Sequence, residues 1–217
     1  MPKPKYKAVI FDFDDTLVET CLIKLAQYQY VAKKVYNTEL TEEAFLRHWG
    51  KPFRIMLAGL FENIDTFENI HAAVRAERTN FFKKVYKGSV DTVNNLLNKG
   101  VKVGILSATN TINLLEDLER LDFPIERLTI IQSSDETKVH KPDPKVFLPI
   151  LRKLKKEGVK KEKTVYVGDS LDDLQAAKGA GINFIAVTTG LYSKEDFKKH
   201  GAKVIIKNIL EVLKEII

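Results

Sequence analysis

The chain has 217 residues, of which 44% are hydrophobic and 29% are charged, and its formal net charge is +6. This composition excludes a disordered chain, and the length suits one good core with a small second lobe, or two modest domains. No apolar run approaches the roughly 18 residues of a membrane-spanning helix, and the lysines are spread along the chain rather than gathered in a stripe for nucleic acid.

The first predicted element is a short buried strand, Tyr6 to Phe11, which is rich in apolar, β-branched and aromatic residues. From about Val18 to Tyr86 the apolar residues follow a helical period instead. Thr41 and the two glutamates after it predict a helix start. Gly50 to Pro52 predicts a break before a second helical run, Phe53 to Phe61, because proline cannot continue a helix. We therefore predict a small all-helical insert after the first strand.

After Gly88, short apolar runs alternate with helical segments. The predicted strands are Val101 to Leu106, Thr129 to Ile131, Thr164 to Val167, Ile182 to Val187 and Val204 to Ile206. The predicted helices are one ending near Gly100, then Ile112 to Leu121, Pro144 to Lys156, Asp172 to Ala180, and one at the end of the chain. This alternation with short connections predicts an α/β fold, a Rossmann-like parallel sheet with helices on both faces.

The stretch that follows the first strand crowds like charges together. Asp12, Asp14 and Asp15 fall within four positions. Two carboxylates about 4 Å apart repel by roughly 4 kcal/mol at the effective dielectric near a protein surface. A bound cation, a raised pKa that keeps one carboxyl protonated, or exposure to water would compensate this repulsion.

Polar side chains also follow three later strands of the predicted sheet. Ser107 follows the second strand, Lys141 lies in a His-Lys-Pro-Asp-Pro run beyond the third, and Asp169 follows the fourth. Ligands bind such sheets outside the carboxyl ends of the strands, so these side chains are expected to meet. Carboxylates, a hydroxyl and a lysine can together bind a hard divalent cation and a phosphate.

Four motifs in this order resemble those of the haloacid dehalogenase superfamily of phosphatases. They are Asp-Phe-Asp-Asp-Thr at 12–16, Ser107 in Ile-Leu-Ser-Ala-Thr, Lys141 in His-Lys-Pro-Asp-Pro, and Gly-Asp-Ser-Leu-Asp-Asp at 168–173. The helical insert resembles the cap of the phosphoglycolate-phosphatase-like branch, and the resemblance covers essentially the whole chain. It implies a core domain of residues 1–17 and 87–217 and a helical cap domain of residues 18–86.

The resemblance assigns chemical roles to the aspartates. Asp12 is implied as the nucleophile and Asp14 as the general acid and base. A Mg²⁺ ion would be held by Asp12, the backbone carbonyl of Asp14 and Asp169, and Asp173 would support that site from behind. An aspartate-rich turn whose carboxylates cap the next helix is the alternative.

The remaining motif residues are implied to bind phosphate. Lys141 would neutralise the phosphate and pair with Asp12, and Ser107 would donate a hydrogen bond to it, although a surface lysine and an ordinary turn serine remain alternatives. Thr16 either supports the phosphate site or caps a helix. Asp15 stands where relatives often have glycine. Ala108 stands where many have asparagine, and alanine cannot make the side-chain contact available to asparagine.

The sequence thus predicts a Mg²⁺-dependent phosphatase that hydrolyses a small-metabolite phosphomonoester, with phosphoglycolate as a candidate, through an aspartyl-phosphate. Lys51 and Arg54 of the insert could reach a second anionic group of the substrate, or could simply be solvated. A phosphosugar mutase of the β-phosphoglucomutase type and a non-catalytic phosphate-binding homologue are the alternatives. Dehalogenase chemistry is disfavoured because it needs neither Asp14 nor a metal.

Cellular context follows from a few residues. Cys21 is the single cysteine, which excludes an internal disulfide and favours a reducing compartment, so a cytoplasmic location is expected. The start of the chain lacks the apolar core of a secretory signal. The expected partner is a small phosphorylated metabolite, with no nucleic acid and no membrane, and the expected assembly is a monomer or a homodimer.

Overall fold

A computed structural model describes residues 4–51 and 53–217, which form two compact units. We call residues 4–18 and 84–217 the core unit, and residues 19–51 and 53–83 the helical unit. The first three residues of the N-terminal segment, and Pro52 as the predicted helix breaker, lie outside the described residues. That the helical unit acts as a cap domain stays a prediction.

Six parallel strands build the sheet of the core unit, in the order β5-β4-β1-β6-β7-β8. The central strand β1 ends at Phe11, which lies beside Ile105 of β4 and Val167 of β6. The strands are β1 (Ala8–Phe11), β2 (Val18–Glu19), β3 (Lys84–Val85), β4 (Lys102–Leu106), β5 (Ile130–Gln132), β6 (Thr164–Gly168), β7 (Asn183–Val187) and β8 (Val204–Ile206). The predicted α/β fold class is confirmed.

Helices cover both faces of this sheet because successive strand residues point to opposite sides. Val9 and Phe11 pack in one apolar cluster with residues of α5, α6 and α10, and Ile10 and Tyr166 pack in another with residues of α7 and α8. The α-helices are α1 (Cys21–Tyr36), α2 (Glu42–His48), α3 (Phe53–Leu60), α4 (Phe67–Ala76), α5 (Ser89–Asn98), α6 (Thr111–Arg120), α7 (Leu148–Lys156), α8 (Leu171–Ala180), α9 (Lys194–Lys199) and α10 (Val212–Ile216).

The helical unit has an apolar core of its own. Tyr28, Phe45, Leu57 and Ile70, one from each of α1 to α4, are buried there. The predicted helix start at Thr41 is confirmed, because its hydroxyl accepts a hydrogen bond of 3.1 Å from the backbone N–H of Ala44.

Three features of the fold differ from the predictions. The segment Pro144–Phe147, predicted as helix, forms a 3₁₀ turn before α7. The two-residue strands β2 and β3, which pair with each other, are too short to show a period. Helix α9 was not predicted because it is mostly charged, although Ser193 and Asp196 form a reciprocal capping box at its start.

Within the described residues, no helix combines the length and the apolar content required to cross a lipid bilayer.

Candidate active site

The carboxyl ends of three adjacent strands carry the predicted site residues. Asp12 follows β1, Ser107 follows β4 and Asp169 follows β6, and these strands are neighbours in the sheet. The backbone extends the ladder by one step, since the N–H of Asp12 donates to the carbonyl of Val167 over 2.8 Å. Parallel pairing therefore brings residues far apart in sequence to one edge of the sheet.

Lys141 is the cationic centre of this edge. Its Nζ donates to Asp12 Oδ1 over 2.8 Å, to Asp173 Oδ1 over 2.7 Å and to the Tyr166 hydroxyl over 3.1 Å. Only 13% of the lysine side chain is exposed, so the two ion pairs are poorly screened by water. The predicted pairing of Lys141 with Asp12 is present, and the ammonium lies where it offsets two carboxylates at once.

Asp169 is anchored from two sides. Its Oδ1 accepts a hydrogen bond of 2.9 Å from the buried hydroxyl of Thr16. Its Oδ2 lies against the backbone at Gly190, where an ideal Cβ would stand only 2.0 Å away. The hydroxyl of Thr16 thus donates to Asp169 and holds this carboxylate in place, and its predicted part in the phosphate site stays a prediction.

Three carboxylates meet at the site. Asp12, Asp169 and Asp173 each place an oxygen within 4.8 Å of the others. Both oxygens of Asp173 already accept hydrogen bonds, Oδ1 from Lys141 and the Tyr166 hydroxyl, and Oδ2 from the N–H and hydroxyl of Ser170. Ser170 and Asp173 form the capping box of α8, so this aspartate is fixed by the helix start.

Burial shifts the proton affinities of the cluster. It raises the pKa of Asp12 to about 7, with Lys141 pulling the value down and Asp173 and Asp14 pushing it up. Burial, together with the charges of Asp12, Asp173 and Asp15, raises the pKa of Asp169 well above its ordinary value. Burial alone would lower the pKa of Lys141, but Asp12 and Asp173 raise it well above normal, so the amine stays an ammonium.

The donor set fits a hard divalent cation. It consists of oxygen atoms only, and burial raises the pKa of both Asp12 and Asp169, so a bound cation would favour their charged forms. Because Asp173 is saturated with protein donors, Asp12 and Asp169 are the carboxylates available to a metal. This division agrees with the predicted supporting role of Asp173.

Asp14 lies with the second motif. Its Oδ2 accepts hydrogen bonds from the hydroxyl of Thr109 over 2.7 Å and from the hydroxyl of Ser107 over 3.3 Å. Ser107 is buried, and its oxygen also accepts from the N–H of Thr109. The structure thus brings Asp14 and Ser107 together, and it adds Thr109, which the motif analysis did not single out.

Asp15 occupies an unusual backbone conformation, with φ of +54°. Glycine reaches this left-handed region freely and aspartate tolerates it, which explains why one position accepts either residue. The carbonyl of Asp15 accepts a hydrogen bond of 2.5 Å from the hydroxyl of Thr189, next to Gly190. The loop after β7 therefore supports both the first motif and Asp169.

The two tentative substrate residues lie in the helical unit, each with a partner there. Lys51 Nζ is 3.3 Å from His48 Nδ1. Arg54 pairs with Glu68 over 3.1 Å, and its guanidinium lies 4.3 Å from the centre of the Phe67 ring. Their contact with a substrate stays a prediction.

Three further residues contribute to the site without having been predicted: Thr109, which closes the second motif, and Tyr166 and Gly190, which lie outside the predicted site residues. Each reaches the site across a large sequence separation, as Tyr166 does with Lys141 and Gly190 with Asp169. Nothing in the local sequence distinguishes such residues from ordinary strand or loop residues. The one available signal was their position at, or next to, the carboxyl end of a predicted strand.

Comparisons with known proteins agree with this geometry. Residues 9–187 match the family model described as haloacid dehalogenase-like hydrolase. A phosphorylated carbohydrates phosphatase of Thermotoga maritima is 32% identical, over 97% of this chain and 100% of that protein. A glyceraldehyde 3-phosphate phosphatase of Methanopyrus kandleri is 30% identical, over 86% of this chain and 85% of that one.

A solved structure extends the likeness to the fold. A crystal structure from Thermotoga maritima, described as "putative beta-phosphoglucomutase", has a TM-score of 0.83 and 31% identity, with 97% of this chain and 100% of that chain covered. The named curated relatives are phosphatases, in agreement with the predicted class of phosphoric monoester hydrolase. The sheet order, the four motifs and the matched model together show that this chain is a member of the haloacid dehalogenase-like hydrolase family.

Proposed function

We propose that the protein is a Mg²⁺-dependent phosphatase that hydrolyses a small-metabolite phosphomonoester through an aspartyl-phosphate on Asp12. One observation carries the proposal. The buried Asp12 carboxylate is held by the Lys141 ammonium at 2.8 Å and has a second carboxylate, Asp169, beside it. A nucleophile, a cation for the transferred group and a metal-binding oxygen set are thereby combined.

The first half of the reaction uses Asp12 and Asp14. A carboxylate oxygen of Asp12 attacks phosphorus, and the bond from phosphorus to the ester oxygen breaks. Asp14 donates its proton to that leaving oxygen, so the alcohol departs neutral. Lys141, with Ser107 as a hydrogen-bond donor, offsets the charge on the transferred phosphoryl oxygens.

The second half reverses the role of Asp14. As a carboxylate it takes a proton from a water molecule, whose oxygen attacks phosphorus, and the bond from phosphorus to Asp12 breaks. Inorganic phosphate leaves and Asp12 is restored. Thr109, at 2.7 Å from Asp14 Oδ2, orients the carboxyl that carries this proton.

Asp12 and Asp169, with the backbone carbonyl of Asp14, would hold the Mg²⁺. When bound, the ion neutralises carboxylate and phosphate charge at the reacting centre. Thr16 and Gly190 keep the Asp169 carboxylate in place for that purpose. Mg²⁺ prefers such a site, with one or two carboxylates and the remaining positions left to substrate and water.

The substrate is proposed as a small phosphorylated metabolite, with phosphoglycolate and sugar phosphates as candidates. Lys51 and Arg54 remain candidates for contact with a second anionic group. The single cysteine supports a reducing compartment, and we propose the cytoplasm as the place of action.

A mutase is the second candidate, favoured by the 31% identity to the structure described as a β-phosphoglucomutase. The same Asp12 would then pass its phosphoryl group to a sugar hydroxyl instead of to water. Such an enzyme would need a sugar bisphosphate to start turnover and would release no free phosphate.

The test is a free-phosphate assay with phosphoglycolate, glyceraldehyde 3-phosphate, glucose 1-phosphate and p-nitrophenyl phosphate, each with Mg²⁺ and with a chelator. Glucose 1-phosphate is run with and without a glucose bisphosphate as activator, and its isomerisation is followed alongside free phosphate. Wild type is compared with Asp12→Ala. Release that requires both Mg²⁺ and Asp12 supports the phosphatase. Isomerisation of glucose 1-phosphate without free phosphate favours the mutase, and neither reaction from any substrate rejects both.

A further inference from the structure

Tyr166 brings a hydroxyl to the site from beneath it. The residue lies in β6, its side chain is fully buried, and it belongs to the apolar cluster on the α7 and α8 side of the sheet. Its hydroxyl nevertheless donates to Asp173 Oδ1 over 2.9 Å and accepts from Lys141 Nζ over 3.1 Å. A tyrosine of the hydrophobic core therefore contacts the two charged groups that flank Asp12.

The hydroxyl completes the contacts of the lysine. An ammonium has three N–H donors, and those of Lys141 face three oxygens, from Asp12, Asp173 and Tyr166. Lysine is a flexible four-carbon chain with a freely rotating head, so its position depends on such partners. Asp12 and Asp173 supply charge, whereas the tyrosine supplies a neutral contact that neither moves nor competes for a metal.

Packing fixes that contact in space. The Tyr166 ring lies edge-on to Phe147, with ring centres 4.9 Å apart, and is tilted against Phe184 at 6.1 Å. Phe147 is also fully buried. Protein interiors are close-packed, which leaves the Tyr166 ring little freedom to move. The hydroxyl therefore stays in place if the lysine side chain shifts.

We infer that Tyr166 is a positioning residue, which holds the Lys141 ammonium between Asp12 and Asp173 so that it is in place when a phosphoryl group arrives. The catalytic consequence rests on the proposed function, but the placement of the lysine does not. Tyr166 itself is too deeply buried to touch a substrate, and it acts through Lys141.

Tyr166→Phe is the test, because it removes one oxygen and keeps the packed ring. Tyr28→Phe is the matched control, a buried tyrosine in the core of the helical unit. The measurements are a crystal structure of each variant, the dissociation constant for inorganic phosphate with Mg²⁺, and kcat and KM on the best substrate. A melting curve reports stability separately.

In Tyr166→Phe we expect the Lys141 ammonium to leave Asp12 or to occupy several positions. Phosphate affinity and kcat/KM should fall by about 10-fold to 100-fold, the scale of a small misplacement. Tyr28→Phe should match wild type in both. A lysine that keeps its place, with phosphate affinity within twofold of wild type, would overturn the inference even if the melting temperature falls.

The two proposals fail separately. If wild type hydrolyses nothing, the phosphatase proposal fails, and the variant's crystal structure still decides whether Tyr166 positions Lys141. If wild type is active, and in Tyr166→Phe the lysine keeps its place and phosphate affinity stays within twofold of wild type, the positioning role alone is rejected.

Discussion

The core unit buries five carboxylates, whereas each carboxylate described in the helical unit keeps part of its surface in solvent. The ion pairs differ in the same way. Lys141 meets Asp12 and Asp173 out of solvent, whereas Arg47–Glu43 and Arg54–Glu68 are exposed pairs of the helical unit. The buried carboxylates are Asp12, Asp15, Asp117, Asp169 and Asp173.

Burying charge is costly, and a fold keeps it only where something compensates the cost. In the helical unit, polar residues serve local structure, as Thr66 does by accepting from the N–H of Asn69 at the start of α4. In the core unit, four of the five buried carboxylates belong to the first and fourth motifs. Buried charge is thus concentrated in the two motifs, and three pairs of substitutions and one pH experiment test that difference between the units.

The largest effect is expected from the nucleophile. Asp12→Asn keeps the shape and removes the attacking charge, so phosphate release should fall by about 10⁴-fold or more. Glu43→Gln makes the same chemical change on an exposed carboxylate of the helical unit and should leave kcat and KM unchanged. Steady-state assays of both variants measure this difference. Similar losses of activity in the two variants would show that the buried and the exposed carboxylate do not differ in function.

Removing the buried cation comes next. Lys141→Met leaves Asp12 and Asp173 facing each other without compensation, which should lower the free energy of unfolding by about 3 to 5 kcal/mol. Activity should fall by about 10²–10³-fold, as for other lost charge-stabilising donors. Denaturant unfolding measures the first effect and phosphate release the second.

Arg47→Met removes the partner of Glu43 from a pair that is exposed on both sides, and it is the control. Its unfolding curve should overlay that of wild type, since water solvates the separated groups. A stable, active Lys141→Met protein would show that the buried pairs carry neither stability nor chemistry.

Two glycines, one in each unit, allow a third test of this difference. An ideal Cβ at Gly190 would stand 2.0 Å from Asp169 Oδ2, and one at Gly59 would stand 2.3 Å from the His48 ring. Gly190→Ala must displace a buried carboxylate, so Mg²⁺ affinity, measured by calorimetry, should fall about 10- to 100-fold. Gly59→Ala should bind Mg²⁺ like wild type, because the half-exposed His48 ring can move. If both variants bind Mg²⁺ with the affinity of wild type, Asp169 is not a ligand of the metal.

The smallest effect concerns pH. The pKa of Asp12 is raised from 3.8 to about 7, so between these values the folded state binds a proton that the unfolded chain has lost. The contribution of this group to stability is therefore present at low pH and is lost as pH rises through 7. Under the proposed function Mg²⁺ would take the place of that proton, and we expect its binding to raise the melting temperature by a few degrees more at pH 8 than at pH 5.

Thermal melts with Mg²⁺ and with a chelator at the two pH values measure this difference. Asp12→Asn is the control. In this variant the rise in melting temperature caused by Mg²⁺ should differ less between pH 5 and pH 8. A Mg²⁺ effect that is equal at both pH values in wild type would exclude Asp12 as a ligand.

The sequence alone predicts most helices and strands of the core unit and the charged residues of the four motifs. Strands such as 101–106 and 164–167 are visible because they are short apolar runs between turn signals, and the four motifs lie next to them. What it cannot predict is which partners meet across the sheet. The saturation of Asp173, the contact of Thr16 with Asp169 and the hydroxyl of Tyr166 all depend on tertiary packing, which no local pattern encodes.

The conformation of the first motif is a second example. The alternating pattern of a strand applies only up to Phe11, and Asp15 then adopts a positive φ. Asp14 lies with Ser107 and Thr109 of the second motif rather than in the cluster of Asp12, Asp169 and Asp173. The motif residues named by resemblance do lie at this edge of the sheet, and their individual roles stay predictions.

The proposed reaction depends above all on transfer of the phosphoryl group to Asp12. The most direct measurement is acid quenching of wild type during turnover with Mg²⁺, followed by proteolysis and mass spectrometry of the phosphorylated peptide. We expect one phosphoryl group on the peptide that contains Asp12. It should be lost when the quenched sample is made alkaline, and it should be missing in Asp12→Asn. Steady turnover with a phosphoryl group on another residue, or retained activity in Asp12→Asn, would contradict it.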